Sequence, residues 1–85
     1  MENPYYVELT IDDNGEELIV ELFKDKNLKL EDAKKLGGNF YMGGYIRQEE
    51  EVSMAPNFTL YPPTSIKKIR LISMSIVQAP PGLNI

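Results

Sequence analysis

Tyr5-Tyr6-Val7-Glu8-Leu9-Thr10-Ile11-Asp12-Asp13-Asn14-Gly15-Glu16-Glu17-Leu18-Ile19-Val20-Glu21-Leu22-Phe23-Lys24 is the stretch whose reading decides the fold. Tyr5, Val7, Leu9 and Ile11 alternate with Tyr6, Glu8, Thr10 and Asp12, the two-residue period of a half-buried strand. Asn14-Gly15 follows. It is the strongest short hairpin signal, because a type I′ turn needs positive φ at both central positions. Glu17–Lys24 is the returning strand. With Asn14 and Gly15 as the turn, Ile11 opposes Leu18, Leu9 opposes Val20, Val7 opposes Leu22 and Tyr6 opposes Phe23. One face is then apolar throughout, as a defined register requires. On the other, Glu8 faces Glu21, Asp12 faces Glu17 and Asp13 faces Glu16, and like charges directly opposed cost stability. That acidic face resists edge pairing, and it also offers a surface to a basic partner or a cation.

Downstream of the hairpin the period changes. Leu30, Ala33 and Leu36 share one face of a short helix over Leu28–Gly38. Glu31 and Asp32 in the first turn and Lys34 and Lys35 in the last suit its macrodipole, and Gly37 is placed to close it. Asn39–Arg47 reads as a third strand, with Phe40, Met42, Gly44 and Ile46 alternating with Tyr41, Gly43, Tyr45 and Arg47. Gly43-Gly44 inside it signals a bend, a bulge or the close approach of another backbone. Gln48–Ser53 is a polar connection and Asn57–Tyr61 a fourth strand. Pro62-Pro63 interrupts the pattern, and Ile66–Val77 is the longest strand. Its apolar part, Leu71–Val77, is expected at the centre of the sheet, paired on both sides. Ala79-Pro80-Pro81-Gly82 stops it. The organisation expected is one β-rich domain over 1–79 and a tail over 80–85.

Leu60-Tyr61-Pro62-Pro63-Thr64-Ser65-Ile66-Lys67-Lys68-Ile69-Arg70-Leu71 resembles the corner joining the last two strands of SH3-like and Sm-like small barrels: strand, one tight turn, strand. Ile66 and Ile69 are three apart, which breaks the two-residue period. A single helical turn before Ile66 accounts for the break and points Ile66 inward. The resemblance implies a mainly β, five-stranded barrel or rolled antiparallel sheet, with one short helix between strands two and three. It carries no functional implication by itself. The helix position and the two-residue Asn-Gly turn depart from both barrel types.

Composition bounds the chemistry. The 85 residues are 42% hydrophobic and 26% charged, with net charge −4. A domain of this size has a limited core, and no cysteine is present to cross-link it. The absence of histidine removes the commonest general base and metal ligand; the absence of cysteine removes thiol catalysis and thiolate metal sites. Asp12, Asp13, Glu16 and Glu17 cluster at the turn without the spacing of a calcium loop. No glycine-rich phosphate loop is present. The expectation is a non-enzyme with no cofactor and no bound metal. With no signal-peptide pattern and no long apolar run, the expected location is the cytoplasm, with no membrane partner.

What remains are surfaces. The aromatic residues Tyr6, Phe23, Tyr41, Tyr45 and Tyr61 fall opposite the expected core face, where they could anchor a protein or stack bases. Glu8 and Glu21 mark the acidic hairpin. Lys68 and Arg70, with Arg47, form a basic set; Lys67 and Lys68 are expected on opposite faces. The function expected is a protein-interaction module, a regulator, inhibitor or assembly subunit, whose partner is another protein or a second copy. A single-stranded RNA- or DNA-binding barrel using Lys68 and Arg70 ranks behind it, because the acidic total repels phosphate. A weak carboxylate-dependent enzyme ranks third.

Overall fold

The computed structural model describes residues 3–49 and 55–74. Elements follow in the order β1 (Tyr5–Asp13), β2 (Glu16–Leu22), α1 (Leu30–Gly43), β3 (Tyr45–Gln48), β4 (Phe58–Tyr61), a single 3₁₀ turn (Pro63–Ser65) and β5 (Ile66–Ser73). The architecture is mainly β, with two antiparallel sheets and one helix. One sheet has the order β2-β1-β5 and the other is the two-stranded ribbon β3-β4. No closed five-stranded barrel forms among the described residues.

The hairpin register is the one its apolar pattern demands, with Val7 opposite Leu22, Leu9 opposite Val20 and Ile11 opposite Leu18. Asn14 and Gly15 both take positive φ, and the Gly15 N–H donates to Asp12 Oδ1 at 3.0 Å. β5 completes the apolar face. Leu71 lies beside Val7, Ile69 beside Leu9 and Ile66 beside Ile11, so the inner face carries three rows of three aliphatic side chains. Val7, Leu9 and Ile11 in the middle column are fully buried. β1 is accordingly the central strand. The expectation that the last strand is central fails: among the described residues β5 lies at an edge, where Lys67, Lys68 and Arg70 suit a boundary with water. Residues 75–77 of that expected strand, the stop at 79–82, the tail at 80–85 and part of the polar connection, 50–53, lie outside the described residues.

Helix α1 covers the inner face. It extends past Gly38 to Gly43, so the third strand is much shorter than the Asn39–Arg47 expected. The reason is the apolar spacing, since Leu36 and Phe40 are four apart and continue the stripe of Leu30 and Ala33. Gly37 does not end the helix. It is buried within it, and a Cβ there would meet the Ile69 and Leu71 side chains at 3.4 Å. Lys34 and Lys35 therefore sit mid-helix, and the last turn holds no basic residue.

Gly44 ends the helix at φ +83°, its N–H donating to the Phe40 carbonyl at 2.9 Å. A Cβ at this position would collide with the Tyr61 carbonyl oxygen. The close backbone approach expected at the Gly-Gly pair is thus located at Gly44, outside any strand.

The 3₁₀ turn at Pro63–Ser65 forms as expected, with the Ser65 N–H donating to the Pro62 carbonyl at 2.9 Å. The broken period has a different cause. Ile11 pairs with Ile66 while Thr10 pairs with Lys68, so Lys67 is the extra residue of a β-bulge. The bulge lets Ile66 and Ile69, three apart, both pack against the core.

Candidate functional site: the β3-β4 ribbon and the outer sheet face

The ribbon's geometry begins at Gly44. Its turn starts β3 directly against the end of β4, and Tyr45 opposes Tyr61. The two rings stack 6.2 Å apart at 8°, and Tyr45 meets Phe40 edge-on at 5.9 Å. Phe40 stacks in turn on Phe23 at 6.3 Å. The Tyr61 hydroxyl donates to Asp13 Oδ2 at 3.3 Å, tying the ribbon to the tip of the hairpin. With both tyrosines held inward, strand alternation turns the intervening residues outward. Ile46 and Leu60 are directly opposed, and Phe58 lies two residues along the same face, beside Gln48. Ile46 is 62% exposed, Leu60 68% and Phe58 56%. Tyr41 and Met42, in the last turn of α1, are also largely exposed. Ile46, Leu60 and Phe58 thus form a row of exposed apolar side chains on one ribbon face, the kind of exposed apolar surface that, when contiguous, marks interaction sites.

The ribbon's other face is polar beyond the tyrosines. Thr59 Oγ1 donates to Glu49 Oε2 at 2.7 Å, and the Glu49 N–H donates to the Asn57 carbonyl at 2.8 Å. Burial raises the Tyr45 hydroxyl pKa above its ordinary 10.0; Arg47 opposes the shift, while Tyr61 and Glu49 reinforce it.

The aromatic candidates do not share one exposed face. Tyr41 is exposed, but Tyr61 belongs to the buried core, and Tyr45 and Phe23 are half-buried in the aromatic chain leading to it. Phe23 does not stand opposite Tyr6 on the outer face. The β1-β2 ladder ends at Val7–Leu22, and Phe23 takes φ +66°, which diverts it toward Phe40. Tyr6 is half-buried, with Lys24 Nζ 5.0 Å from its ring centroid.

The acidic and basic sets meet on the outer face of the three-stranded sheet. Glu21, Glu8 and Arg70 lie abreast on β2, β1 and β5. Arg70 pairs with Glu8 at 3.6 Å, and Lys24 pairs with Glu21 at 3.2 Å. The bulge overturns the expected separation of the lysines: Lys67, Lys68 and Arg70 line one shallow groove, together with Thr10, Ile19, Glu8 and Glu17. Arg47 lies on the ribbon, away from this register. Among the described residues, no group of three acidic side chains is placed to hold a metal ion, and no helix is long and apolar enough to cross a membrane.

The chain matches no known protein family, no curated protein and no solved structure.

The exposed residues Ile46, Met42, Phe58 and Leu60 are absent from the sequence-based candidates. Reading 39–47 as one strand assigns Ile46 and Met42 to the core face. The signal that corrects this is the Leu36–Phe40 helical spacing, with Gly44 as its stop.

Proposed function

We propose that the chain is a non-catalytic protein-interaction module that docks a protein partner on the outer face of the β3-β4 ribbon, as a regulator, an inhibitor or a subunit of a larger assembly. The observation that carries this reading is the triplet Ile46, Leu60 and Phe58, three large apolar side chains on one ribbon face, each more than half exposed. Water contact at such a face is unfavourable by about 25 cal/mol for each Å² of apolar surface, and a partner relieves it. Tyr41 and Met42 would extend the contact. The lack of histidine and cysteine supports a binding role over a catalytic one.

The second reading is a single-stranded nucleic-acid binder. It draws on the groove in which the bulge gathers Lys67, Lys68 and Arg70. Against it, Glu8 and Glu17 line the same groove, and Arg70 is already paired with Glu8. Capture from native extract at low and high salt separates the two. Apolar docking retains its protein at high salt. Phosphate contacts weaken steeply as salt rises, and recovery of nucleic acid that is lost at high salt would replace the first reading with the second.

A further inference from the structure

We propose that two copies of this chain pair through the free edge of β4, antiparallel, about a two-fold axis at Thr59. The inference rests on the reading of the ribbon as the docking element and names a second copy as the occupant of its edge.

Backbone direction comes first. The Glu49 N–H bonds the carbonyl of its opposite residue, Asn57, so the hydrogen-bonded pairs of the ribbon are 49/57, 47/59 and 45/61. The N–H and C=O groups of Phe58 and Leu60 consequently point away from β3. Among the described residues, no strand lies beyond β4.

The sequence of this edge is symmetric in kind about its middle. Pro56-Asn57-Phe58-Thr59-Leu60-Tyr61-Pro62 has proline at equal distance on either side of Thr59, then Asn or Tyr, then a large apolar residue. A two-fold axis at Thr59 sets Phe58 opposite Leu60 of the second copy, and the reverse. These are the residues whose backbone groups face outward, so both pairs are hydrogen-bonded. Thr59 faces its own counterpart, a favourable cross-strand pair. The prolines, which lack a donor, end the ladder on both sides.

Charge selects this edge over the others. A two-fold pairing must be self-complementary. The β2 edge carries Glu16, Glu17 and Glu21, and the β5 edge carries Lys67, Lys68 and Arg70. Either edge pairing with itself brings like charges together, and the β3 edge carries Arg47, whereas β4 has no charged residue. The joined ribbons make one four-stranded sheet, and Ile46, Leu60 and Phe58 of both copies form one continuous apolar strip, a wider platform for the partner.

Analytical ultracentrifugation of the full chain tests the pairing. The wild type is expected at about twice the 9.7 kDa of one chain. Thr59→Lys and Thr59→Glu each place a like-charged pair at the axis, beside the Glu49 carboxylate that Thr59 bonds in its own chain, and weaken self-association roughly tenfold or more, Thr59→Glu the more strongly. Mixing the two restores a dimer, because lysine then faces glutamate. In the wild type, hydrogen exchange at the Phe58 and Leu60 amides slows as concentration drives association. A wild type that stays monomeric, charged variants that remain dimeric, a mixture that fails to pair, or fast exchange at both amides in a dimer overturns the proposal. Ile46 lies off the seam, so Ile46→Asp separates the two readings. A monomer whose captured partner still depends on Ile46 sinks the self-pairing alone; a dimer that captures nothing through Ile46 sinks the docking reading alone.

Discussion

Gly44 is the residue on which the ribbon's placement turns. Its φ of +83° is disfavoured for any side chain, and the Tyr61 carbonyl occupies the space a Cβ needs. Gly44→Ala should destabilise by about 2 kcal/mol or more, combining a strained backbone with a clash. Gly38, exposed on the same helix with open space around it, gives the opposite sign: Gly38→Ala should stabilise by about 0.5–1 kcal/mol. Denaturant titration of both variants checks the contrast, and equal effects would remove Gly44 from its role. Tyr45 supplies a pH dependence. Its pKa is raised in the folded state, so folding favours the neutral phenol. The stabilisation is complete below the ordinary value of 10.0 and is lost as pH rises through the folded-state value. Tyr45→Phe should flatten this alkaline loss in thermal melts taken across that range. Of these residues, the sequence singles out Gly43-Gly44 as a bend, a bulge or the close approach of another backbone. It does not show which glycine, because the deciding neighbour is Tyr61, far along the chain.

At the scale of elements, legibility followed how local the determinant was. The hairpin register was readable from Val7–Leu22 to the turn, because Asn14-Gly15 and the alternation around it fix it within one contiguous stretch; the Tyr6–Phe23 pair was not, because Phe23 leaves the strand at positive φ toward Phe40. The 3₁₀ corner at Pro63–Ser65 was readable for the same reason. The helix end was misplaced because Gly37 resembles a stop; its actual use, close packing on Ile69 and Leu71, depends on a distant strand. The bulge at Lys67 was invisible because a period break has two local explanations, and only the pairing with Thr10 and Ile11 decides between them. Pairing also sets the electrostatics. Glu8 lies between Glu21 and Arg70, so Arg70→Glu would put three carboxylates abreast. We expect a loss of about 1 kcal/mol at low ionic strength, shrinking as salt screens the face. Urea titrations at two salt concentrations would show it, and a loss that is the same at both would mean the Arg70–Glu8 contact matters through packing.

For the whole molecule, the three-stranded sheet and its helix form the core, and the ribbon is held to them by the aromatic chain Phe23, Phe40, Tyr45 and Tyr61. Leu9→Ala, at the centre of the buried column, should cost about 2–5 kcal/mol, much of the stability of a domain this size. Chemical denaturation reads it directly. The same chain of rings decides the candidate site. It turns two of the tyrosines that the sequence offers as surface anchors inward and leaves Ile46, Phe58 and Leu60 in their place. The division of labour between faces is then testable in one comparison. Wild type, Ile46→Asp and Lys68→Ala/Arg70→Ala, each verified as folded, are used to capture proteins from native extract, and the bound fractions are quantified side by side. Docking on the ribbon predicts at least one protein retained by wild type and by the basic-face variant and lost with Ile46→Asp. Retention by Ile46→Asp together with loss in Lys68→Ala/Arg70→Ala would contradict it and move the site to the outer face of the three-stranded sheet.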